Sequence, residues 1–223
     1  MTNSVETMLR ENRFVIAVEL LFVILFQILH ALRIIPTAAI FLFVLGWISL
    51  RLRKMNWKHV GFSRPVNWTH TIGIGILAAI LFQVLSIWLI VPLIQNITNK
   101  TLDLSQFEGL RSNWSYFIVA LIVSWTYAAF IEEFVYRGYL LNRFKDLFGE
   151  TNVGWFFAVL ISSMLFGFGH VYQGVSGVVE IFFSALLMSG LYFVGKRNLW
   201  MPIIAHGVKD TIGFALIFLG FYP

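Results

Sequence analysis

Seven long apolar segments dominate this sequence and restrict what the chain can fold into. They cover residues 14–33, 35–50, 71–94, 115–141, 153–170, 177–195 and 199–221. A helix needs about 20 apolar residues to cross the hydrocarbon core of a bilayer, and most of these segments approach that length. Only helices and closed barrels satisfy their backbone hydrogen bonds inside a membrane. The pattern predicts an all-α, polytopic integral membrane protein with about seven transmembrane helices; the short second segment leaves six to eight open.

The composition agrees with this class of protein. Apolar residues make up 59% of the 223 residues and charged residues only 12%, whereas soluble chains carry about 25% charged residues. The chain contains no cysteine, which excludes disulfides, thiolate metal sites and a cysteine nucleophile. Because no soluble domain or linker stands out, residues 1–223 are interpreted as a single transmembrane domain.

Lys and Arg residues lie mainly in alternate loops, and this asymmetry predicts the orientation in the membrane. With the N-terminus in the cytoplasm, eleven basic residues lie in the inner segments and three in the outer ones. The inner set is Arg10, Arg13, Arg51, Arg53, Lys54, Lys58, Arg64, Arg143, Lys145, Lys196 and Arg197, and the outer set is Arg33, Lys100 and Arg111. We therefore expect a cytoplasmic N-terminus, a C-terminus outside, the lipid bilayer as a partner, and no nucleic-acid partner.

Three charged residues stand close together in the fourth apolar segment, in the stretch IEEFVYRGYL. A charge at the centre of a transmembrane helix costs about 2.5 to 3.5 kcal/mol on insertion scales, so each one needs a reason. Glu133 and Arg137 lie four residues apart on one helical face and can pair, whereas Glu132 points about 100° away. The surplus carboxylate of Glu132 therefore indicates a function.

Two other apolar segments carry side chains that could meet this surplus carboxylate. The fifth ends in FGFGH, in which Gly167 and Gly169 would let another helix approach closely beside His170. The seventh carries AHGVKD, in which His206 and Asp210 lie four residues apart and face the same way. Carboxylates and imidazoles in a dry pocket suit general base catalysis or metal binding.

The remaining charges within the apolar segments have simpler interpretations. Glu19 is interpreted as a packing or interfacial residue, and Glu180 as a charge close to a loop. Lys209 is expected to point away from the face of its helix that carries the histidine and the aspartate, toward the inner surface.

Three motifs follow one another on successive apolar segments, namely Glu132-Glu133-x-x-x-Arg137, Phe166-x-x-x-His170 and His206-x-x-x-Asp210. In this order they resemble the CAAX protease and bacteriocin-processing family of intramembrane endopeptidases, which includes the type II CAAX prenyl endopeptidases. The resemblance covers roughly residues 114–221, and every motif position fits. It implies hydrolysis of a peptide bond in a membrane-associated peptide or protein, such as a prenylated protein, a pheromone, a bacteriocin or a leader peptide.

The resemblance also implies a role for each motif residue. Glu132 would be the general base that activates a water molecule, with the assistance of His170. His206 and Asp210 would stabilise the oxyanion that forms at the peptide carbonyl. The supporting residues would be Glu133, Arg137 and Phe166.

Metal dependence and two rival functions stay open at the level of sequence. We expect no cofactor, because acidic residues with a paired arginine suit water activation and because Arg137 would oppose a nearby cation. A zinc ion, if bound, would take Glu132, His170 and His206, and no HExxH motif is present to decide between the two. The rivals are a non-catalytic bacteriocin-immunity or regulatory scaffold and, less favoured for want of inverted repeats, a proton-coupled transporter. The small size, the lack of cysteine and the lack of an evident organelle signal favour a bacterial plasma membrane.

Overall fold

The computed structural model of the protein describes residues 8–9 and 12–221 and is built from helices. Helices account for 81% of the chain, and the described residues form no strand. The main helices of the described part are α1 (Arg13–Ala31), α2 (Ala39–Leu52), α3 (Trp68–Thr98), α4 (Trp114–Phe148), α5 (Asn152–Phe168), α6 (Gly174–Val194) and α7 (Trp200–Phe218). The all-helical membrane fold with about seven helices is confirmed; Arg10, counted above for orientation, lies outside the described residues.

The helices differ in length from the predicted spans. Five of them, α1, α3, α4, α6 and α7, are long and apolar enough to cross a bilayer. The helices α2, with 14 residues, and α5, with 17, are apolar but shorter, and extend over about 21 and 26 Å at 1.5 Å per residue. Conversely, α3 has 31 residues and α4 has 35. The last eight residues of α4, Leu141–Phe148, extend it beyond the predicted segment 115–141 as an amphipathic helical end.

One end of the helix bundle collects most of the basic residues. There the Leu199 backbone N–H donates to the Gly61 carbonyl at 2.9 Å, and Arg197 pairs with Glu150 at 3.2 Å. We call this the basic end. Its basic side chains are Arg13, Arg51, Arg53, Lys54, Lys58, Arg64, Arg143, Lys145, Lys196 and Arg197.

The opposite end, which we call the distal end, joins the segment 99–113 to the ends of other helices. The Asp103 N–H donates to the Gln173 carbonyl at 3.1 Å, and the Ser112 N–H donates to the Phe218 carbonyl at 3.2 Å. The three basic residues of the predicted outer set belong to loops of this end. The loops therefore segregate in space as their charges do in sequence.

Glu19, Arg53 and Tyr139 tie α1, the end of α2 and α4 together. The Arg53 guanidinium and the Tyr139 hydroxyl both donate to the Glu19 carboxylate. Arg53 Nε also donates to the Leu9 carbonyl at 2.8 Å. We call these three residues the Glu19 cluster. Its contacts agree with the interpretation of Glu19 as a packing residue.

The centre of α4 departs from α-helical geometry. Residues Ser124–Glu132 and Phe134–Leu140 are π-helical, a form that is rare and concentrates at functional sites. Side chains satisfy carbonyls in this region: Ser162 Oγ donates to Tyr136 O at 3.0 Å, and Asn142 Nδ2 donates to Gly138 O at 2.8 Å. Such compensation matters in a membrane, where no water replaces a lost backbone hydrogen bond.

Apolar side chains cover the outer surface of the bundle. Leu21, Leu81, Trp88, Val119 and Phe156 are all more than half exposed. In water such a surface would be a large exposed apolar patch, whereas in a bilayer it contacts lipid tails. The second π-helical stretch of α4 is buried over its whole length, so this helix is the centre around which the site is built.

Candidate active site

The two adjacent glutamates lie at the junction of the two π-helical stretches of α4. Glu132 ends the first stretch, and Glu133 separates it from the second. Arg137 Nη1 donates to Glu133 Oε1 at 2.8 Å, and both side chains are buried. The ion pair predicted from their spacing is therefore present.

Arg137 is held on three sides, which makes it a rigid part of the site. Besides Glu133, its guanidinium donates from Nη2 to the Ala185 carbonyl of α6 at 3.0 Å. It also lies over the ring of Phe166, 4.8 Å from the centroid, a cation–π contact that is stronger when desolvated. Arg137 thus joins α4 to both α5 and α6.

His206 of α7 lies among three carboxylates. Its Nδ1 is 2.7 Å from Glu133 Oε1, so this nitrogen donates to the carboxylate. Its Nε2 is 3.6 Å from Asp210 Oδ2 and 4.0 Å from Glu132 Oε2. The glutamate that sequence reasoning assigned to Arg137 alone therefore also orients His206, and the free ring nitrogen points between the other two acids.

Asp210 is positioned by neighbours that the sequence did not indicate. Ser124 Oγ, at the start of the first π-helical stretch, donates to Asp210 Oδ2 at 2.8 Å. Lys209 Nζ is 3.7 Å from Asp210 Oδ1. Lys209 is buried and lines the same cavity as Asp210. The expectation that Lys209 points away from this face is wrong, because the chain keeps the buried ammonium beside a carboxylate.

His170 follows the end of α5 and packs beside the same phenylalanine as His206. The His170 ring centroid is 5.1 Å from that of Phe166, and the His206 centroid is 6.0 Å from it. His170 Nδ1 is 2.9 Å from the Phe166 carbonyl, and an N–H at this position donates to that oxygen. The other ring nitrogen, Nε2, is then unprotonated in the neutral ring and can accept a proton.

Gly167 lets α6 approach this corner of the site, as the sequence predicts. A Cβ at this position would lie 2.7 Å from the Val178 carbonyl of α6 and 3.2 Å from Phe182. The helices could not pack at this distance around a larger residue. Gly169 has no comparably close neighbour on another helix.

Two cavities, each of about 410 Å³, meet at the predicted residues. The first, which we call the catalytic cavity, is lined by Glu132, His170, His206 and Asp210 together. The second lies toward α1, and Glu132, Phe166 and His170 line it as well. The structure thus brings the four predicted residues to one cavity, with Glu132 and His170 at the boundary between the two.

The catalytic cavity reaches toward the distal end of the bundle. Four residues of the segment 99–113 line it, namely Leu102, Leu104, Gln106 and Phe107. Phe107 packs against Phe214 of α7 with ring centroids 5.4 Å apart. This segment therefore covers the cavity on the side away from the basic end.

Several residues that line the catalytic cavity were not assigned to the site from the sequence. They are Ser124, Tyr127, Tyr172 and Glu180. A serine or tyrosine in an apolar helix carries no signal of its own, since such residues are common there. Glu180 did carry a signal, an intramembrane charge, but its position near a predicted loop concealed its burial. It is 7% exposed, so its interpretation as a loop-proximal charge is corrected.

The imidazole and carboxylate side chains of the site are of the types that bind zinc. Ligand atoms on one tetrahedral zinc lie about 3.3 Å apart, given metal–ligand bonds of 2.0 to 2.1 Å. Among the described residues, no group of three or more His, Asp or Glu side chains is arranged to hold a metal ion. In this geometry the residues do not form a ready metal site.

Comparison with known proteins gives one family. Residues 112–212 match the family model described as Rce1-like, type II CAAX prenyl endopeptidase. The matched segment runs from just before α4 into α7 and contains all the motif residues. No curated protein and no solved structure matches the chain.

Proposed function

Since this chain belongs to the CAAX protease family, on the match of residues 112–212, we propose that it is an intramembrane endopeptidase that cleaves membrane-associated peptides with a glutamate-activated water. The observation that carries this proposal is the shared cavity of Glu132, His170, His206 and Asp210. Acid–base groups that converge on one cavity within apolar helices are the expected form of such a site.

In this proposal Glu132 and His170 prepare the nucleophile. A water molecule at the boundary of the two cavities donates a proton to the Glu132 carboxylate as its oxygen attacks the peptide carbonyl carbon. Unprotonated His170 Nε2 accepts the second hydrogen bond of the water and orients it. When the tetrahedral intermediate collapses, the C–N bond breaks and protonated Glu132 transfers its proton to the departing amine.

In the same proposal, His206 and Asp210 stabilise the oxyanion. An N–H at His206 Nε2 can donate to the oxyanion only if the ring is doubly protonated, because Nδ1 already donates to Glu133. The described cluster holds three carboxylates and two fixed cations, so an imidazolium at this position makes it neutral. Asp210, fixed by Ser124, holds the imidazolium in place. Such a preorganised donor contributes about 3 to 4 kcal/mol to transition-state stabilisation in other hydrolases.

We further propose that this chemistry runs without a metal ion. Arg137 lies beside Glu133 at the centre of the cluster, and its charge opposes a divalent cation there. If zinc were used, Glu132, His170 and His206 would have to move to bind it. Full activity of protein freed of metal by a chelator, with no metal found by elemental analysis, would support the proposal. Activity lost with the chelator and restored by zinc would contradict it.

The direct test is cleavage of membrane-tethered fluorogenic peptides by the purified protein. The library should cover prenylated and unprenylated peptides, since the substrate class within the family is open. Glu132→Gln and His170→Ala should each abolish the turnover of any peptide that the unchanged protein cleaves. Equal turnover by all three proteins would refute the mechanism. No cleavage across the library would favour a non-catalytic scaffold.

For the orientation, we propose a cytoplasmic basic end in a bacterial plasma membrane. Support comes from the segregation of basic residues between the two ends. The catalytic cavity would then lie toward the outside, beneath the segment 99–113. Because the chain contains no cysteine, single cysteines at Lys58 and Glu108 report the sidedness cleanly. On intact cells, an impermeant maleimide should label Glu108→Cys and spare Lys58→Cys; the reverse pattern would invert the topology.

A further inference from the structure

Glu180 is a carboxylate within the membrane that the proposed mechanism does not use. It lies on α6, is 7% exposed, and faces the catalytic cavity. Its Oε1 accepts a hydrogen bond from Ser86 Oγ at 3.1 Å. A charge within a transmembrane helix costs a few kcal/mol on insertion scales. One hydrogen bond from a hydroxyl offsets only a small part of that cost.

Among the described residues, Glu180 takes part in no ion pair at salt-bridge distance. The ion pairs formed by the described residues leave it without a Lys, Arg or His nitrogen within 4 Å. This separates it from Glu19, Glu133 and Asp210, which all have such a nitrogen within that distance.

The local structure holds Glu180 toward the cavity. Its partner Ser86 is fully buried and begins the π-helical stretch Ser86–Ile90 in the middle of α3. Gln83, one turn earlier on α3, lines the same cavity and is also buried. Ser184, one turn later on α6, lines it too. Polar side chains of α3 and α6 thus line part of the cavity. The proposed catalytic residues belong to other elements, namely α4, α7 and the turn after α5.

We propose that Glu180 is a specificity-determining subsite that binds a basic side chain, Lys or Arg, of the peptide substrate. The inference rests on the proposed function, since it names the substrate feature that the same cavity selects. A carboxylate in a water-poor cavity attracts a cation more strongly than it would in water. An acidic side chain in its place would be repelled and left without a partner, which is the kind of penalty that produces discrimination.

Cleavage of matched peptides tests this subsite. Each position that flanks the scissile bond is occupied in turn by Lys, by norleucine or by Glu, in otherwise identical membrane-tethered peptides. The unchanged protein should favour Lys over norleucine at one position by about tenfold or more in kcat/KM, as expected for a polar subsite. Glu180→Gln should reduce that ratio to near one, mainly through KM, whereas Glu180→Asp should keep it. Glu180→Lys should shift the preference to the Glu peptide.

Binding separates failure of the subsite from failure of the proposed function. Fluorescence anisotropy of the Lys and norleucine peptides is measured with Glu132→Gln and with Glu132→Gln/Glu180→Gln, so that no turnover is needed. Tighter binding of the Lys peptide by the first protein only, by about tenfold, supports the subsite. Equal binding of both peptides by both proteins overturns it, whether or not the unchanged protein cleaves peptides. Thermal unfolding of each variant checks that it is folded.

Discussion

Two clusters in this bundle pair a glutamate with an arginine, yet their surroundings differ. In the Glu19 cluster one carboxylate receives donors from Arg53 and Tyr139. In the cluster around Arg137 the guanidinium pairs with Glu133, and His206 lies close to Glu133, Glu132 and Asp210. The first is balanced, while the second holds more carboxylates than fixed cations.

The second difference is access to a cavity. Glu132 and Asp210 line the catalytic cavity, whereas the residues of the Glu19 cluster line none of the cavities described above. A buried and balanced ion pair joins helices, but it has no group free to react. A cluster that needs a protonated histidine for neutrality, and that borders a cavity, can exchange protons with a bound molecule. An excess of carboxylates over fixed cations, together with access to a cavity, distinguishes a candidate site from a contact that only joins helices.

The most direct test of the difference between the two clusters is to neutralise one glutamate in each. Glu132→Gln should lower turnover by about 10³-fold or more, in line with the loss of a general base. Glu19→Gln removes a charge of the same kind from the same membrane and should keep the turnover of the folded protein. Both are compared by peptide cleavage in detergent micelles, normalised to folded protein. A large loss of turnover in Glu19→Gln would mean that both clusters serve catalysis.

Removal of Arg137 should have the largest effect on stability. Arg137→Met leaves Glu133 buried without its guanidinium and removes one of the donors to the Ala185 carbonyl, which should lower the free energy of unfolding by about 3 kcal/mol. The double change Glu133→Gln/Arg137→Met should recover part of that loss, because it no longer buries an unpaired charge. Unfolding by titration with a denaturing detergent measures both. Strictly additive effects would contradict a coupled pair.

Removal of Arg53 should cost less. Arg53→Met leaves Glu19 with the Tyr139 hydroxyl as a donor and with partial exposure of 11%, so we expect a loss of about 2 kcal/mol, below the value for a fully buried pair. The same detergent titration measures it, and peptide cleavage should be unchanged per folded molecule. A loss of stability greater than that of Arg137→Met would reverse the ranking of the two clusters.

The smallest effect should come from the hydroxyl that holds Asp210. Ser124→Ala removes the donor to Oδ2, and a hydrogen bond to a charged group is worth about 1.5 to 3 kcal/mol. Part of that loss should appear as a decrease in kcat of about tenfold, with KM little changed, because Asp210 acts on the transition state. Thr126→Ala in the same π-helical stretch is the matched control, since Thr126 bonds only its own helix. Equal effects of the two changes would show that Ser124 supports the helix alone.

Much of the fold follows from local properties of the chain. The apolar segments, the alternation of basic loops and the four-residue spacing of Glu133 and Arg137 are short-range features, and the helices and that ion pair follow from them. The π-helical geometry of α4 does not, because one of its carbonyls, that of Tyr136, accepts a hydrogen bond from Ser162 on a different helix, α5. The lengths of α3 and α4 were also underestimated, since hydropathy does not mark where a helix continues past the bilayer.

The sequence by itself determined the membrane class, the helices and the identity of the charged residues that such a membrane must accommodate. It also named Glu132, His170, His206 and Asp210 as a set, and their catalytic roles stay predictions. Only the tertiary structure decided that Glu133 serves both Arg137 and His206, that Lys209 turns toward Asp210, and that Glu180 faces the same cavity. These contacts join residues far apart in the chain, and helix tilt and packing, which no local pattern encodes, bring them together.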